Sequence, residues 1–228
     1  MSGIQNSKID VIIPVYNEEE VIGWFYNRII KVPLDMNLVF IDNNSSDGTV
    51  KKLRRFNGIT LIEHKKNEGY GGSIIDGLRR TVGDRIVIID ADCEYPPEAI
   101  PRMVKELRDY EVVYGSRLAN SRGTNLPAVR MIGNKLISVI FNVLFGQNTT
   151  DLYTGFKALR RSALAGITLN EKGFDHVLEL AVKLSQKGIQ IKEIPIEYTP
   201  RSVGLSKMKH LKETSIFLYR IMLYRLFG

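Results

Sequence analysis

Short apolar runs rich in Val and Ile alternate along the first half of the chain with longer segments whose apolar residues recur at helical spacing. This is the pattern of successive βα units on a parallel sheet. The runs Ile9–Tyr16, Leu38–Asp42, Ile59–Glu63, Ile86–Asp90 and Val112–Gly115 predict strands, and Glu19–Lys31, Asp47–Phe56, Gly72–Val82 and Pro97–Asp109 predict helices between them. Asn17 or Ser46 is placed to cap a helix, acidic side chains fall in first turns, and Pro97 suits a first helical position. The second half is less regular. It predicts a strongly apolar helix over Asn134–Phe145, a short element at Gly155–Leu159, a helix over Phe174–Gln186, and a period-two strand Ile189–Tyr198 in which Pro195 marks a sheet edge. A Gly/Ser/basic loop, Pro200–Lys209, leads to a last helix over His210–Phe227.

With no repeat, low-complexity tract or linker, the expectation is one α/β domain over residues 1–208 and a C-terminal amphipathic helix over 209–228. The 228 residues suit a single large domain, and a charged fraction of 25% excludes neither core nor solubility but does exclude a disordered tail or a coiled-coil rod. Cys93 is the only cysteine, so no intrachain disulfide forms. With no basic-then-apolar leader in the sequence, a cytoplasmic setting is expected. No stretch reaches the roughly 18–20 apolar residues that cross a bilayer, because Arg220 and Arg225 interrupt the last run and Asn142 and Gly146 dilute the one before it. The net charge of +7 favours anionic partners without choosing among nucleotides, headgroups and nucleic acid.

In an open parallel sheet, ligands bind at the carboxyl ends of strands. Here those ends are polar: Pro14-Val15-Tyr16-Asn17-Glu18, then Asp42-Asn43-Asn44-Ser45-Ser46-Asp47-Gly48, then Asp90-Ala91-Asp92, then Gly115-Ser116-Arg117. Two carboxylates flanking a small residue, with Glu94 beyond, suit Mg²⁺ or Mn²⁺, which binds through one or two carboxylates with phosphates and water completing its shell. The alternative has these acids capping the helix at Pro97; their place directly after an apolar strand favours the cation. Asn67-Glu68-Gly69-Tyr70-Gly71-Gly72 is a glycine-rich turn into a helix, which lets backbone N–H groups, Gly71 among them, approach a phosphate or nucleoside. The dinucleotide fingerprint fails, because Ile74 stands where its last glycine belongs, and the turn follows the third strand rather than the first. His64, His176 and His210 lack metal-ligand spacing and read as structural or surface residues. Trp24 reads as a core residue on a helix face.

Taken in order, these segments resemble the family-2 glycosyltransferases of the GT-A fold, and within them the polyprenyl-phosphate sugar synthases of the dolichol-phosphate mannose synthase type. Val11–Glu18 resembles the family's opening strand, Ile41–Thr49 its aspartate-rich motif, and Asp90-Ala91-Asp92 with Pro96-Pro97-Glu98 its D-x-D motif. Tyr114–Arg117, Asp151–Phe156 and Arg201–Lys207 are similar to the motifs of the lipid-phosphate branch. The resemblance implies a metal-dependent, inverting hexosyltransferase moving a sugar from a GDP- or UDP-sugar to a polyprenyl phosphate. It implies that Pro14, Tyr16, Asn17, Glu18 and Asp42 hold the nucleoside, Asp90 ribose or sugar, and Asp92 and Glu94 the metal. Arg117, helped by Arg130, would meet the acceptor phosphate, Arg201 and Lys207 would close over the diphosphate, and Asp151 would point toward acceptor or sugar. A phosphate acceptor is already anionic, so the chemistry does not demand a base from Asp151.

Two departures stand out: Asp42-Asn43-Asn44 replaces a commoner pair of acids and a glycine, and Cys93-Glu94-Tyr95 replaces Leu-Gln-His. The implied partners are a nucleotide sugar, a polyprenyl phosphate and a membrane surface, with a membrane subunit or a second copy as further candidates and no nucleic acid. Leu136–Phe145 and Ile216–Phe227, with Lys207, Lys209, His210 and Lys212, are candidates for lying peripherally on the cytoplasmic face of a membrane, against ordinary packing or a dimer interface. Two other functions remain open at this point: transfer to a soluble hydroxyl, which needs a carboxylate base, and a nucleotide-sugar-binding module without its own activity.

Overall fold

The computed structural model describes residues 9–119, 128–199 and 219–226, with 128–130 as backbone. A seven-stranded sheet is built from β1 (Ile9–Val15), β2 (Met36–Asp42), β3 (Ile59–Glu63), β4 (Arg85–Ile88), β5 (Val112–Ser116), β6 (Lys157–Arg160) and β7 (Ile191–Pro195). Its helices are α1 (Ile22–Ile29), α2 (Thr49–Leu53), α3 (Tyr70–Arg80), α4 (Ile100–Glu106), α5 (Ala128–Phe145) and α6 (His176–Gln186). The α/β expectation holds, and α5 begins six residues before the predicted Asn134.

The strand order is β3-β2-β1-β4-β6-β5-β7. Only β6 runs against its neighbours, pairing antiparallel with β4 and β5, while the other pairs are parallel. The carboxyl ends of β1, β2, β4 and β5 and the amino end of β6 therefore share one edge. The chain leaves β1 toward β2 and β3, then returns to β4 on the other side of β1. That reversal opens a crevice between β1 and β4, where such sheets bind ligands. Pro195 closes β7, an edge strand, where its missing N–H costs no ladder bond.

Successive strand residues feed opposite faces, so a strand covered on both sides is apolar throughout. Val11, Ile13, Phe40 and Val87 pack with Phe25 of α1 and Met103 of α4, while Ile12, Val39, Ile41, Ile86 and Ile88 pack with Ile74 of α3, Phe141 of α5 and Leu178 of α6. In α1, Ile22, Phe25 and Ile29 recur at spacings of three and four and are buried. Trp24 lies off that stripe and is 53% exposed, with the Arg28 guanidinium 4.5 Å above its ring, so it is a surface residue and not the predicted core residue. The capping expectation also fails. Neither Asn17 nor Ser46 caps a helix; Asn17 Oδ1 instead accepts from the Ser46 backbone N–H at 2.8 Å. The first turns of α1, α2 and α3 carry no acid.

His176, which opens α6, is 1% exposed, and both its ring nitrogens are buried without a hydrogen-bond partner among the described residues. Burial first, and the Lys157 charge second, push its pKa down to about 4. The folded state thus keeps this ring neutral while the unfolded chain takes up a proton below the ordinary value of 6.5, so stability falls as pH drops from there to about 4. A contribution on the order of 3 kcal/mol is expected across that window. Urea unfolding over a pH series should show this slope in the wild type and its loss in His176→Gln; equal slopes would remove His176 as the cause.

Candidate active site

The first wall of the crevice is made where β1 and β2 end side by side. The Asn17 backbone N–H donates to Ser45 Oγ at 2.9 Å and the Glu18 N–H to Thr49 Oγ1 at 2.9 Å, lacing the two loops together. Asn17 and Asn44 sit at φ 51° and 63°. Asparagine tolerates that left-handed conformation, which explains how Asn44 fills a place where the resembled motif has glycine. Asp42 is buried at the end of β2, where its Oδ2 accepts the Ser45 N–H at 3.0 Å and its Oδ1 has no hydrogen-bond partner among the described residues. Pro14, Tyr16 and Glu18 lie on the same rim at the end of β1, Pro14 and Tyr16 half-buried and Glu18 more deeply.

Asn43 braces the glycine-rich turn. Its Oδ1 accepts the Glu68 N–H at 2.8 Å and its Nδ2 donates to Asn67 Oδ1 at 2.9 Å. The turn itself corrects one expectation. The Gly71 N–H donates to the Gly173 carbonyl at 3.2 Å and the Gly72 N–H to the Lys172 carbonyl at 3.1 Å. The start of α3 is therefore closed by the chain's own carbonyls, and Gly71 does not offer its N–H to a phosphate. Its missing side chain serves close approach instead, because a Cβ there would collide with the Glu171 carbonyl and His176.

The second wall follows β4. Asp90 lies against Gly155, where any Cβ would overlap the Asp90 carboxylate, and its buried Oδ1 has no hydrogen-bond partner among the described residues. Burial, then the charges of Asp92 and Glu94, raise the Asp90 pKa to about 7, with Tyr70 and Lys157 pulling the other way. The chain turns sharply at Cys93, φ 66°, and the Glu94 N–H donates to Asp92 Oδ1 at 3.1 Å. This inward crowding of like charges, with Asp92 and Glu94 half-buried rather than turned to bulk water, fits a divalent cation. Among the described residues no three His, Cys, Asp or Glu side chains form a metal cage, so a cation here would rely on one or two carboxylates and a ligand's own oxygens.

Arg117 and Asp151 form the third wall. Arg117 follows β5, and its Nε and one terminal nitrogen donate to Asp151 at 2.7 and 2.8 Å, while its backbone N–H adds a third bond at 3.0 Å. Asn134 Nδ2, from α5, donates to the same carboxylate at 2.6 Å. Burial alone would raise the Asp151 pKa, but the Arg117 charge and these bonds win and hold it below the usual carboxylate range. The guanidinium lies 5.7 Å from each of the Tyr95 and Tyr198 rings. Asp151 is thus fully engaged behind Arg117 rather than free to take a proton.

Lys157, Tyr70, Tyr95 and Tyr198 were not legible as site residues. Lys157 opens β6, and its buried Nζ is bonded to the Thr154 carbonyl; burial pulls its pKa down to about 8 against the pull of Asp90 and Asp151. Tyr95, noted only as a departure from a motif, accepts the Gly155 N–H at 2.8 Å. No spacing signal marks any of the four: Lys157 comes in on the antiparallel β6 and Tyr198 after β7, while Tyr70 and Tyr95 stand within segments read for their glycines and acids. Arg201, Lys207 and the Arg130 side chain lie outside the described residues.

Replacing Asp151 strands a buried guanidinium. Asp151→Asn is expected to cost about 3–5 kcal/mol in chemical unfolding; a loss under about 1 kcal/mol would mean that Arg117 is held by other contacts.

The sequence model described as "Glycosyl transferase family 2" matches residues 10–168. A "Dolichol-phosphate mannosyltransferase" of Pyrococcus furiosus is 30% identical over 96% of this chain, which spans 63% of that relative's length. An "Undecaprenyl-phosphate mannosyltransferase" of Micrococcus luteus is 28% identical over 88% of this chain and 87% of its own. A "UDP-N-acetylglucosamine--dolichyl-phosphate N-acetylglucosaminyltransferase" of Methanococcus voltae is 26% identical over 96% of both chains. Among solved structures, glucosyl-3-phosphoglycerate synthase from Mycobacterium tuberculosis, with Mn²⁺, UDP and glucosyl-3-phosphoglycerate, superposes with a TM-score of 0.72 at 20% identity, covering 96% of this chain and 80% of its own. That likeness shows the fold. The matched span and the three-walled crevice together place this chain in glycosyl transferase family 2.

Proposed function

We propose that the chain transfers a sugar from a nucleoside-diphosphate sugar to a polyprenyl phosphate at a membrane surface, with inversion at the anomeric carbon. The observation that carries this is Arg117, clamped by Asp151 beside the carboxylates of the β4 end. A planar guanidinium suits a phosphate, to which it donates parallel hydrogen bonds. With one edge given to Asp151, its remaining terminal nitrogen is the donor assigned to the acceptor. The relatives named above support the acceptor class, since each is named for a polyprenyl or dolichyl phosphate.

In the assigned reaction, an acceptor phosphate oxygen forms a bond to the anomeric carbon as the bond to the nucleoside diphosphate breaks. An anionic phosphate needs no base, which agrees with Asp151 being spent on Arg117 and disfavours a sugar hydroxyl as acceptor. Asp151 is then a positioning residue. Asp42, with Pro14, Tyr16, Asn17 and Glu18, is assigned to the nucleoside and Asp90 to ribose or sugar. Asp92 and Glu94 would hold Mg²⁺ or Mn²⁺, which supplies positive charge to the departing diphosphate. Arg201 and Lys207 are assigned to that diphosphate and Arg130 to the acceptor, by resemblance alone.

Access to a lipid acceptor is supported by α5. Ile137 and Phe141 are buried, while Ile132, Leu136, Val139 and Val143 form an exposed apolar stripe at spacings of four, three and four. The segment 219–226 exposes Tyr219, Met222, Leu223 and Leu226 in the same way. Among the described residues no helix is long and apolar enough to cross a membrane, so these faces are assigned to lying on one. The net charge of +7 suits anionic headgroups.

The test is transfer of label from a panel of GDP- and UDP-sugars to polyprenyl phosphate in anionic vesicles with Mn²⁺. Label should reach the lipid, and Asp92→Ala should cut the rate on the order of 10²-fold or more. Val139→Asp with Val143→Asp should release the protein from vesicles without changing its fold. Tight nucleotide binding with no labelled lipid from any donor would refute the acceptor assignment.

A further inference from the structure

The helical segment 219–226 is seated on the domain by one face. Ile221 is fully buried in the same core as Ile74 and Leu178, and Arg220 forms ion pairs with Glu171 and, at 3.0 Å, with Asp175. Those two acids bracket three residues that do most of the holding of the glycine-rich turn. The Lys172 and Gly173 carbonyls take the N–H groups of Gly72 and Gly71. The Phe174 ring stacks on Tyr70 with centroids 5.4 Å apart and planes 17° from parallel. Lys172 Nζ pairs with Glu68 at 2.8 Å. Side chains at Gly69 or Gly71 would run into the Lys172 and Glu171 carbonyls, so the fit is close enough for a small shift of this clasp to be felt by the turn.

The turn in its turn stands between two acids assigned to the donor. On one side Asn43, the neighbour of Asp42, bonds Asn67 and the Glu68 N–H. On the other, Tyr70 lies beside Asp90, whose charge adds to burial in raising the phenol's pKa. Glu171 and Asp175 carry like charges, and Arg220 is the cation that bridges them. Removing it leaves two facing carboxylates at the base of the clasp, where their repulsion acts directly on residues 172–174.

We infer that Arg220 is a positioning residue for the donor site: by joining Glu171 to Asp175 it presses the 172–174 clasp onto the glycine-rich turn and so keeps Tyr70 against Asp90. This rests on the donor-site reading above. It makes the segment that exposes an apolar face also a strut of the nucleotide pocket, more than a hundred residues away in sequence from Asp42 and Asp90, the acids it serves through the clasp.

The experiment uses the full chain with Arg220→Met, which keeps an apolar stem, and Arg220→Lys, which keeps the charge. Two quantities are read: amide exchange by NMR at Gly71 and Gly72 against core amides of β1 and β2, and affinity for GDP and UDP with Mn²⁺ by calorimetry. Arg220→Met should speed exchange at Gly71 and Gly72 while the core strands stay protected, and should weaken nucleotide binding about five- to tenfold. Arg220→Lys should recover most of both. Unchanged affinity in Arg220→Met, or exchange raised equally everywhere, would overturn the inference and leave Arg220 a general stabiliser. If the wild type binds neither nucleotide, the donor-site reading fails and takes the inference with it; binding by the wild type with an indifferent variant sinks the inference alone.

Discussion

A buried carboxylate in a low-dielectric setting is tolerated only with a cation and hydrogen bonds around it, and the Arg117–Asp151 pair meets that condition by drawing on separate parts of the chain. Arg117 comes from the end of β5, Asp151 from the approach to β6, Asn134 from α5, and Glu193 of β7 accepts the Asp151 and Thr150 N–H groups at 2.9 and 2.8 Å. The pair therefore ties the irregular second half of the chain to the regular first half. It also sets the chemistry: a guanidinium held flat on one edge leaves the other for an anion, and a carboxylate used this way has no capacity left for a proton.

Near this pair stand the acids that follow β4. Asp90, Asp92 and Glu94 fall within five residues, and among the described residues one buried oxygen each of Asp42 and Asp90 lacks a hydrogen-bond partner. Polar atoms buried in this way are rare in native proteins and tend to mark a place where something else binds. The Arg117–Asp151 wall is thus complete in itself, while the other two carry the buried acids to which the proposed function assigns nucleotide and cation.

The glycine-rich turn shows how a local signal misleads when its partner is far away in sequence. Glycines opening a helix announce that something approaches the backbone closely. Nothing in residues 67–72 says whether that is a phosphate or another stretch of chain, and here it is the carbonyls of Lys172 and Gly173. Trp24 misled in the opposite direction: it lies within a helix of correct period but one position off the buried stripe, with Arg28 covering its ring. Two of the missed residues share one cause. Lys157 and Tyr198 reach the site because β6 runs antiparallel between β4 and β5 and the chain after β7 returns past Glu94, whose carbonyl accepts the Thr199 N–H at 3.2 Å.

The alternation of Val- and Ile-rich runs with helical periods was enough to determine the α/β class, the first five strands and the polar strand ends at which Asp42, Asp90, Asp92 and Arg117 stand. Those features follow from nearest-neighbour geometry: the period of burial in each element, and the rule that parallel strands end on one edge. Only the tertiary structure decided that Asp151 serves Arg117, that Gly71 is closed by the chain itself, and that Arg220 pairs with Glu171 and Asp175. Each of these is a pairing of charges or hydrogen-bonding groups tens of residues apart. Its partner is chosen by how the sheet is threaded, a choice that no local pattern of residues encodes.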